Sequence, residues 1–498
     1  DADGRPVEPE WPAAEVIIGN PPFLGGNKIR QELGDRTVDS LFKLYSGRVP
    51  AFADLVCYWF EKARAQIEAG HTQRAGLLAT NSIRGGVNRK VLERIKQSGD
   101  IFMAWSDNPW VLDGAAVRVS IVGFDDKVQQ IRQLDSKAVA SINADLTAAE
   151  TDITKALWLS ENKGISYQGP SPKGSFDIEP TTARKMLATE RNRQVVRPVI
   201  SAIDITRGSR GLWTIDFGQM TLEVAQQYEE PFKYVHETVY PERAKNRRAS
   251  YAEKWWQYAE PRPGMRQALS LVKRFIVTPR VAKHRIFVWA QPEVLANDGT
   301  IVFARDDDYF LGVLHARPHE LWALRMGTWL GVGNDPRYTP TTTFETYPFP
   351  WPPGREPQPD LTGGRHLSGL DEGAALVAEI AHWARELARW REAWLNPPPP
   401  AKGTLDVAYD RLIKSRTLTN LYNGLVYYRQ HPGPAFDRAA FDKETRRSVG
   451  AADIQELDDI HRALDAAVLR AYGWPATLSD EEILARLLGL NLERAGRA

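Results

Sequence analysis

Four consecutive residues, Asn20-Pro21-Pro22-Phe23, bring together the groups needed to hold a planar base by its exocyclic amine. Such an amine is a poor nucleophile because its lone pair is delocalised into the ring, and no ordinary base at neutral pH removes its proton beforehand. Two acceptors aimed at its two hydrogens draw the nitrogen toward tetrahedral geometry as it attacks a methyl sulfonium. Asn20 offers a side-chain carbonyl, and Pro21 a backbone carbonyl fixed by its ring. Phe23 offers a face on which an extruded base stacks, and Pro22 stiffens the turn. The expected occupant of this turn is a flipped adenine.

A strand must present that turn. The β-branched run Val16-Ile17-Ile18 predicts a buried parallel strand, stopped by Gly19 and the prolines, so the turn lies at the strand's carboxyl end, where open α/β sheets bind ligands. Leu24 to Lys28 reads as a polar loop over the site. Leu55, Trp59, Phe60, Ala63 and Ile67 recur at helical spacing up to Gly70, and Ala75 to Ala79 predicts a second buried strand running into Thr80-Asn81-Ser82. A helix is expected over 87–97 and strands over 101–105 and 117–124, the last two pairing as a hairpin. The fold class is therefore α/β, with about half of a Rossmann-like sheet in view.

The remainder divides by composition. Residues 127–174 read as polar and connecting, and short strand-like runs between about Ser175 and Thr346 predict a mixed α/β domain, with Asn297-Asp298-Gly299 as a hairpin turn. A Pro-rich stretch from Pro348 to Pro359 precedes amphipathic helices at Leu376, Ile380, Trp383, Leu387, Trp390 and Trp394, and again from Ile454 to Val468 and Ile483 to Leu488. The expected domains are 1–135, a connector 136–174, a mixed domain 175–347, a linker 348–370 and a helical domain 371–498.

At 498 residues, 43% hydrophobic and 26% charged, the chain has an ordinary globular composition and a length suited to about three domains. No apolar run approaches the roughly 20 residues of a membrane span and no signal peptide is visible, so a cytoplasmic location is expected. The single cysteine, Cys57, excludes a disulfide framework and multi-thiolate zinc sites, and its place in a helix predicts core packing. His315 and His319 have metal spacing, but Pro318 interrupts them and no metal is expected. The net charge of +1 hides a concentration: residues 242–285 hold twelve Lys and Arg against three Glu, a local +9, interleaved with Trp255, Trp256 and Tyr258. That is the pattern for binding nucleic-acid phosphates, with Lys245, Arg247, Arg248 and Lys254 as candidates, Trp255 beside them, and Lys283 and Arg285 next.

Asn20-Pro21-Pro22-Phe23 matches in full the signature of the adenine-N6 class of amino-methyltransferases, and further segments follow in order. Ala53 to Ala63 resembles the helix beside the cofactor, making Asp54 and Leu55 cofactor-proximal. Gly76 to Ser82 resembles the next core strand, and Asn108-Pro109-Trp110 with Val117 to Phe124 resembles the motif supplying a second stacking group, Trp110, with Leu112 as competitor. Ile18 to Gly26, Asp54 to Gln66, Thr339 to Pro350 and Ala471 to Arg494 together resemble the large methyltransferases of type IIL restriction-modification and of the BREX and DISARM phage-defence systems.

The resemblance implies a partial class I methyltransferase sheet in 1–135, a target-recognition domain in 175–347, S-adenosylmethionine as cofactor, double-stranded DNA as partner with defence subunits as further ones, and site-specific adenine methylation. The family's glycine-rich cofactor turn precedes the Asn-Pro-Pro turn, and it is not found upstream here. Leu330-Gly331-Val332-Gly333 is the best later candidate, but Pro336 and Pro340 follow where a helix should start. The expectation is that the first strands and the main cofactor motif lie outside this sequence, leaving it inactive alone. The rivals are a non-catalytic DNA-binding specificity module, and methylation of RNA or of protein glutamine.

Overall fold

The computed structural model describes residues 6–112, 115–148, 151–246, 248–330, 335–358, 372–398 and 407–496. The chain forms two compact units that interleave along the sequence. The first comprises 1–156, 324–337 and 480–488, and the second 157–323, 338–479 and 489–498.

The first unit is built on a mixed sheet. Its elements run β1 (Val16–Gly19), α1 (Gly26–Leu33), α2 (Asp35–Leu44), α3 (Val56–Glu68), β2 (Arg74–Thr80), α4 (Arg89–Ser98), β3 (Asp100–Leu112), β4 (Ala115–Asp125), β5 (Arg132–Leu134) and β6 (Lys137–Val139). The strand order is β1-β2-β4-β3-β5-β6. β1 and β2 are parallel, with Gly19 opposite Leu77, while β3 and β4 form the expected antiparallel hairpin. The sheet continues beyond residue 135, because β5 pairs with β3 and β6 with β5.

Apolar residues at helical spacing on α3 and α4 cover one face of this sheet. Phe60 of α3 stacks on Phe124 of β4 at 6.0 Å, and Val91, Leu92 and Ile95 of α4 are buried in the same core. Each fully buried side chain of this size contributes about 1.5–3 kcal/mol. Gly70 ends α3 with a φ of 74°, a left-handed turn that glycine adopts without strain. Charge is also sealed inside. Glu61 is inaccessible and accepts from Arg64 at 2.9 Å through both oxygens, and from Arg94 at 3.1 and 3.3 Å.

Two expectations for this unit are corrected. β1 is not a buried strand: it is the sheet's edge, with Val16 43% and Ile18 84% exposed. Alternate residues share a face of a strand, and among the described residues no element covers that face. Leu24 to Lys28 is not all loop either, since α1 starts at Gly26.

The second unit contains two further sheets. Strands β7 (Ser166–Gln168), β8 (Asp177–Ile178), β9 (Val196–Ile200), β10 (Trp213–Ile215), β11 (Phe275–Pro279), β12 (Val288–Ala290), β13 (Leu295–Ala296) and β14 (Thr300–Phe303) assemble as β13-β9-β10-β8 and β12-β11-β14-β7. Asn297-Asp298-Gly299 does turn the chain, with the Thr300 amide donating to Asn297 O at 3.0 Å. It does not make a hairpin, because β13 and β14 belong to different sheets. The long helices Glu372–Leu395 and Ala451–Ala471 follow, as the apolar periodicity predicts.

Candidate active site and DNA-binding residues

The parallel pairing of β1 and β2 points their carboxyl ends the same way, with β2 running three residues beyond Leu77, the partner of Gly19, to Thr80, so Thr80-Asn81-Ser82 stands above the Asn20 turn on the same side of the sheet. Pro21 is buried, Phe23 half-buried, and Asn20 and Pro22 are exposed. Among the described residues neither the Asn20 amide nor the Pro21 carbonyl is engaged by another group of the chain. Two acceptors therefore lack partners among the described residues, on a turn that its prolines make rigid.

The β3–β4 hairpin extends past the end of β2, whose Thr80 lies opposite Val119, and carries Trp110 opposite Val117. Trp110 is 38% exposed. Two strands stand between β1 and β3, which sets Trp110 roughly 14 Å to the side of Asn20 at a usual strand spacing, and further along the strand direction as well, since Gly19 is opposite Leu77, Thr80 opposite Val119 and Trp110 opposite Val117. The Leu112 side chain, like Gly331 to Gly333, lies outside the described residues.

Between them lies a polar cluster that the sequence reading did not single out. A register shift in β3 between Trp105 and Asn108 turns Asp107 toward the site. Its Oδ1 accepts from Asn81 Nδ2 at 3.2 Å and from Arg118 Nε at 2.6 Å, which raises the proton affinity of Arg118. The bulge is pinned by Asp135, which accepts from Ser106 N and Oγ, and by the Ser120 hydroxyl, which donates to Ser106 O at 2.7 Å. The polar run at the carboxyl end of β2 was the available signal for Asn81. Asp107 carried none, because a bulge is not written in the alternation of a strand.

Asp54 stands just before α3, and Leu55 is buried beside it. Asp54 Oδ1 accepts from the Gly26 amide at 3.0 Å. Oδ2 accepts from Ser82 Oγ at 2.7 Å and Asn88 Nδ2 at 2.8 Å. Cys57 is free and buried, and burial pushes its thiol well above the usual range. Its Sγ contacts Asn88 Oδ1 at 3.6 Å, a packing role.

This ordered set of turn, strand ends and hairpin falls within a matched family. Residues 6–135 match the family described as "MmeI, DNA-methyltransferase domain". These residues are similar to the DNA-methyltransferase domain of MmeI. The chain is 25% identical over 362 residues to DNA methyltransferase A of Bacillus subtilis (strain 168), covering 67% of this chain and 39% of that protein. Its fold is similar to that of the type IIL restriction-modification enzyme MmeI, solved in complex with DNA. The TM-score is 0.69 at 16% identity, over 97% of this chain and 57% of that one. The chain thus spans about two fifths of the curated relative and somewhat over half of the solved one.

Outside the MmeI-like domain, the candidate DNA contacts separate by burial. Lys245, Arg248, Lys254 and Lys283 are exposed, and none has an acidic partner among the described residues; Arg248 lies over the Tyr251 ring. Arg247 lies outside the described residues. Two assignments are corrected. Trp255 is 8% exposed, packed among Phe232, His236, Tyr240 and Trp256, and offers no free face to a base. Arg285 is 7% exposed, donates to Pro279 O and to Thr278 Oγ1, and lies over Tyr338, so it cannot reach a phosphate. Burial pushes its guanidinium down to about 10. Arg184, Lys185 and Arg207, exposed and unpaired among the described residues, lie outside the segment that charge density selected.

His315 and His319 are also buried. His315 Nε2 accepts from the Phe287 amide at 3.2 Å and Arg391 Nη1 at 3.0 Å, and His319 Nε2 pairs with the Tyr338 hydroxyl at 2.9 Å. No group of metal ligands and no membrane-spanning helix occurs among the described residues.

Proposed function

We propose that this chain is the base-holding and DNA-binding part of a site-specific DNA methyltransferase that transfers a methyl group to adenine N6, in restriction-modification or phage defence. The observation that carries this reading is the pair of uncommitted acceptors, Asn20 Oδ1 and Pro21 O, beside Phe23 at the carboxyl end of β1. An adenine extruded from the duplex would stack on Phe23 and direct its amine hydrogens at both acceptors, which localises the nitrogen lone pair for attack. Trp110 would meet the base or its neighbour from the hairpin side.

S-adenosylmethionine supplies the electrophilic methyl group in this chemistry. Of the residues near the turn, Asp54 already accepts three hydrogen bonds from within the chain. The residues here bind and orient the acceptor base.

Double-stranded DNA is the proposed partner. Support comes from the exposed cations Lys245, Arg248, Lys254 and Lys283, and from the likeness to an enzyme solved with DNA. The test is to express the full-length protein in a host lacking other adenine methylation and to map N6-methyladenine across its genome. Modification at one recurring sequence is expected. Unmodified adenine throughout, with the protein present and folded, would overturn the proposal.

A further inference from the structure

We propose that Asp54 is a positioning residue: it latches the segment that follows Asn20-Phe23 onto the carboxyl end of β2 and so holds the two acceptors in one place. Its consequence for turnover rests on the methylation reading above; the latch itself does not.

Three stretches distant in sequence meet at this carboxylate. The Gly26 amide, three residues beyond Phe23, donates to Oδ1, and Ser82 and Asn88 donate to Oδ2. Two of these ties are doubled, since the Asp54 amide donates to Asn88 Oδ1 at 2.8 Å and the Leu55 amide to Leu24 O at 2.8 Å. Asp54 thus accepts an orphan amide at the start of α1, where a negative charge is favoured.

The approach is so close that only glycine fits. A Cβ on Gly26 would lie 1.9 Å from Phe52 O, and Phe52 itself holds a left-handed φ of 66°, a conformation a non-glycine residue keeps only when its surroundings impose it. Asp54 takes three donors from within the chain, one on Oδ1 and two on Oδ2, which fixes the orientation of its carboxylate.

Asp54→Asn keeps Oδ1 but turns an amide toward Ser82 and Asn88, where donors already point. Pairing it with Asn88→Asp restores complementarity, because the exchanged groups again match donor to acceptor. The full-length protein is assayed as Asp54→Asn, Ser82→Ala, and the Asp54→Asn/Asn88→Asp exchange, for adenine methylation and for hydrogen exchange of peptides spanning 19–30. Asp54→Asn is expected to lower kcat at least about tenfold while the KM for S-adenosylmethionine stays within about twofold, with the exchange variant recovering most of the rate. Peptides 19–30 should exchange faster in Asp54→Asn, slightly faster in Ser82→Ala, and near the parent rate in the double variant.

A raised KM for S-adenosylmethionine at unchanged kcat would make Asp54 a cofactor contact and overturn the proposal. So would unchanged protection of 19–30 in Asp54→Asn, or a double variant as impaired as the single one. If the parent protein methylates nothing, the methylation reading fails by itself, and the protection series still decides the latch.

Discussion

Removing the exposed cations of the second unit should change DNA binding in a way that salt makes measurable. Lys245, Arg248, Lys254 and Lys283 are solvent-facing and lack acidic partners among the described residues, whereas Arg285 is sealed against Tyr338. Each phosphate contact adds about 0.9 to the slope of log K against log salt, which near 0.15 M is roughly fivefold in affinity per contact. If all four touch phosphates, replacing them by Ala should reduce the slope by about 3.6 and weaken binding on the order of a thousandfold. Fluorescence anisotropy on a labelled duplex, titrated across a series of salt concentrations, reads both quantities. Arg285→Met is the control: it should lower stability through the lost bonds to Pro279 and Thr278 and leave the slope alone. A slope unchanged by the fourfold replacement would refute the assignment of these residues to the interface.

Two further outcomes follow from buried charge. Glu61→Ala removes the buried partner of Arg64 and Arg94, leaving Arg64 only its pair with Glu68, and should cost about 3 kcal/mol of stability, seen in chemical denaturation; a loss below about 1 kcal/mol would mean the triad is dispensable. Burial lowers His319 to about 3 against its ordinary 6.5, so the unfolded chain takes up this proton first. The stability from keeping the ring neutral is complete above about pH 6.5 and declines by about 1.4 kcal/mol per unit as pH falls toward 3. His319→Gln should therefore narrow its stability deficit by about 3 kcal/mol between pH 6.5 and 4, and a constant deficit would contradict the depressed value.

The proposed base-holding turn stands out in the sequence because its chemistry is local: four adjacent residues carry both acceptors, the ring and the stiffness. The strand–helix alternation and the β3–β4 hairpin were legible for the same reason, through short-range periodicity. What escaped was tertiary. A β-branched run reads alike at the centre or the edge of a sheet, so the run itself does not announce the exposure of Ile18. Charge counted along the chain does not distinguish Lys245 from Arg285, because an arginine with an apolar stem and satisfied donors can be buried. Aromatic interleaving misled in the same way at Trp255, whose ring completes a core. Ser82 and Asn88 meet Asp54 only after β2 and the start of α4 have folded beside α3, and no spacing in the sequence announces that meeting.

The central claim is that Asn20 holds the amine of a target adenine. Its most direct test is nucleoside mass spectrometry of DNA incubated with S-adenosylmethionine and the full-length protein, as parent and as Asn20→Ala. N6-methyladenine is expected from the parent and a loss of at least about a hundredfold from Asn20→Ala, with duplex affinity retained. Equal N6-methyladenine from both proteins would contradict the account.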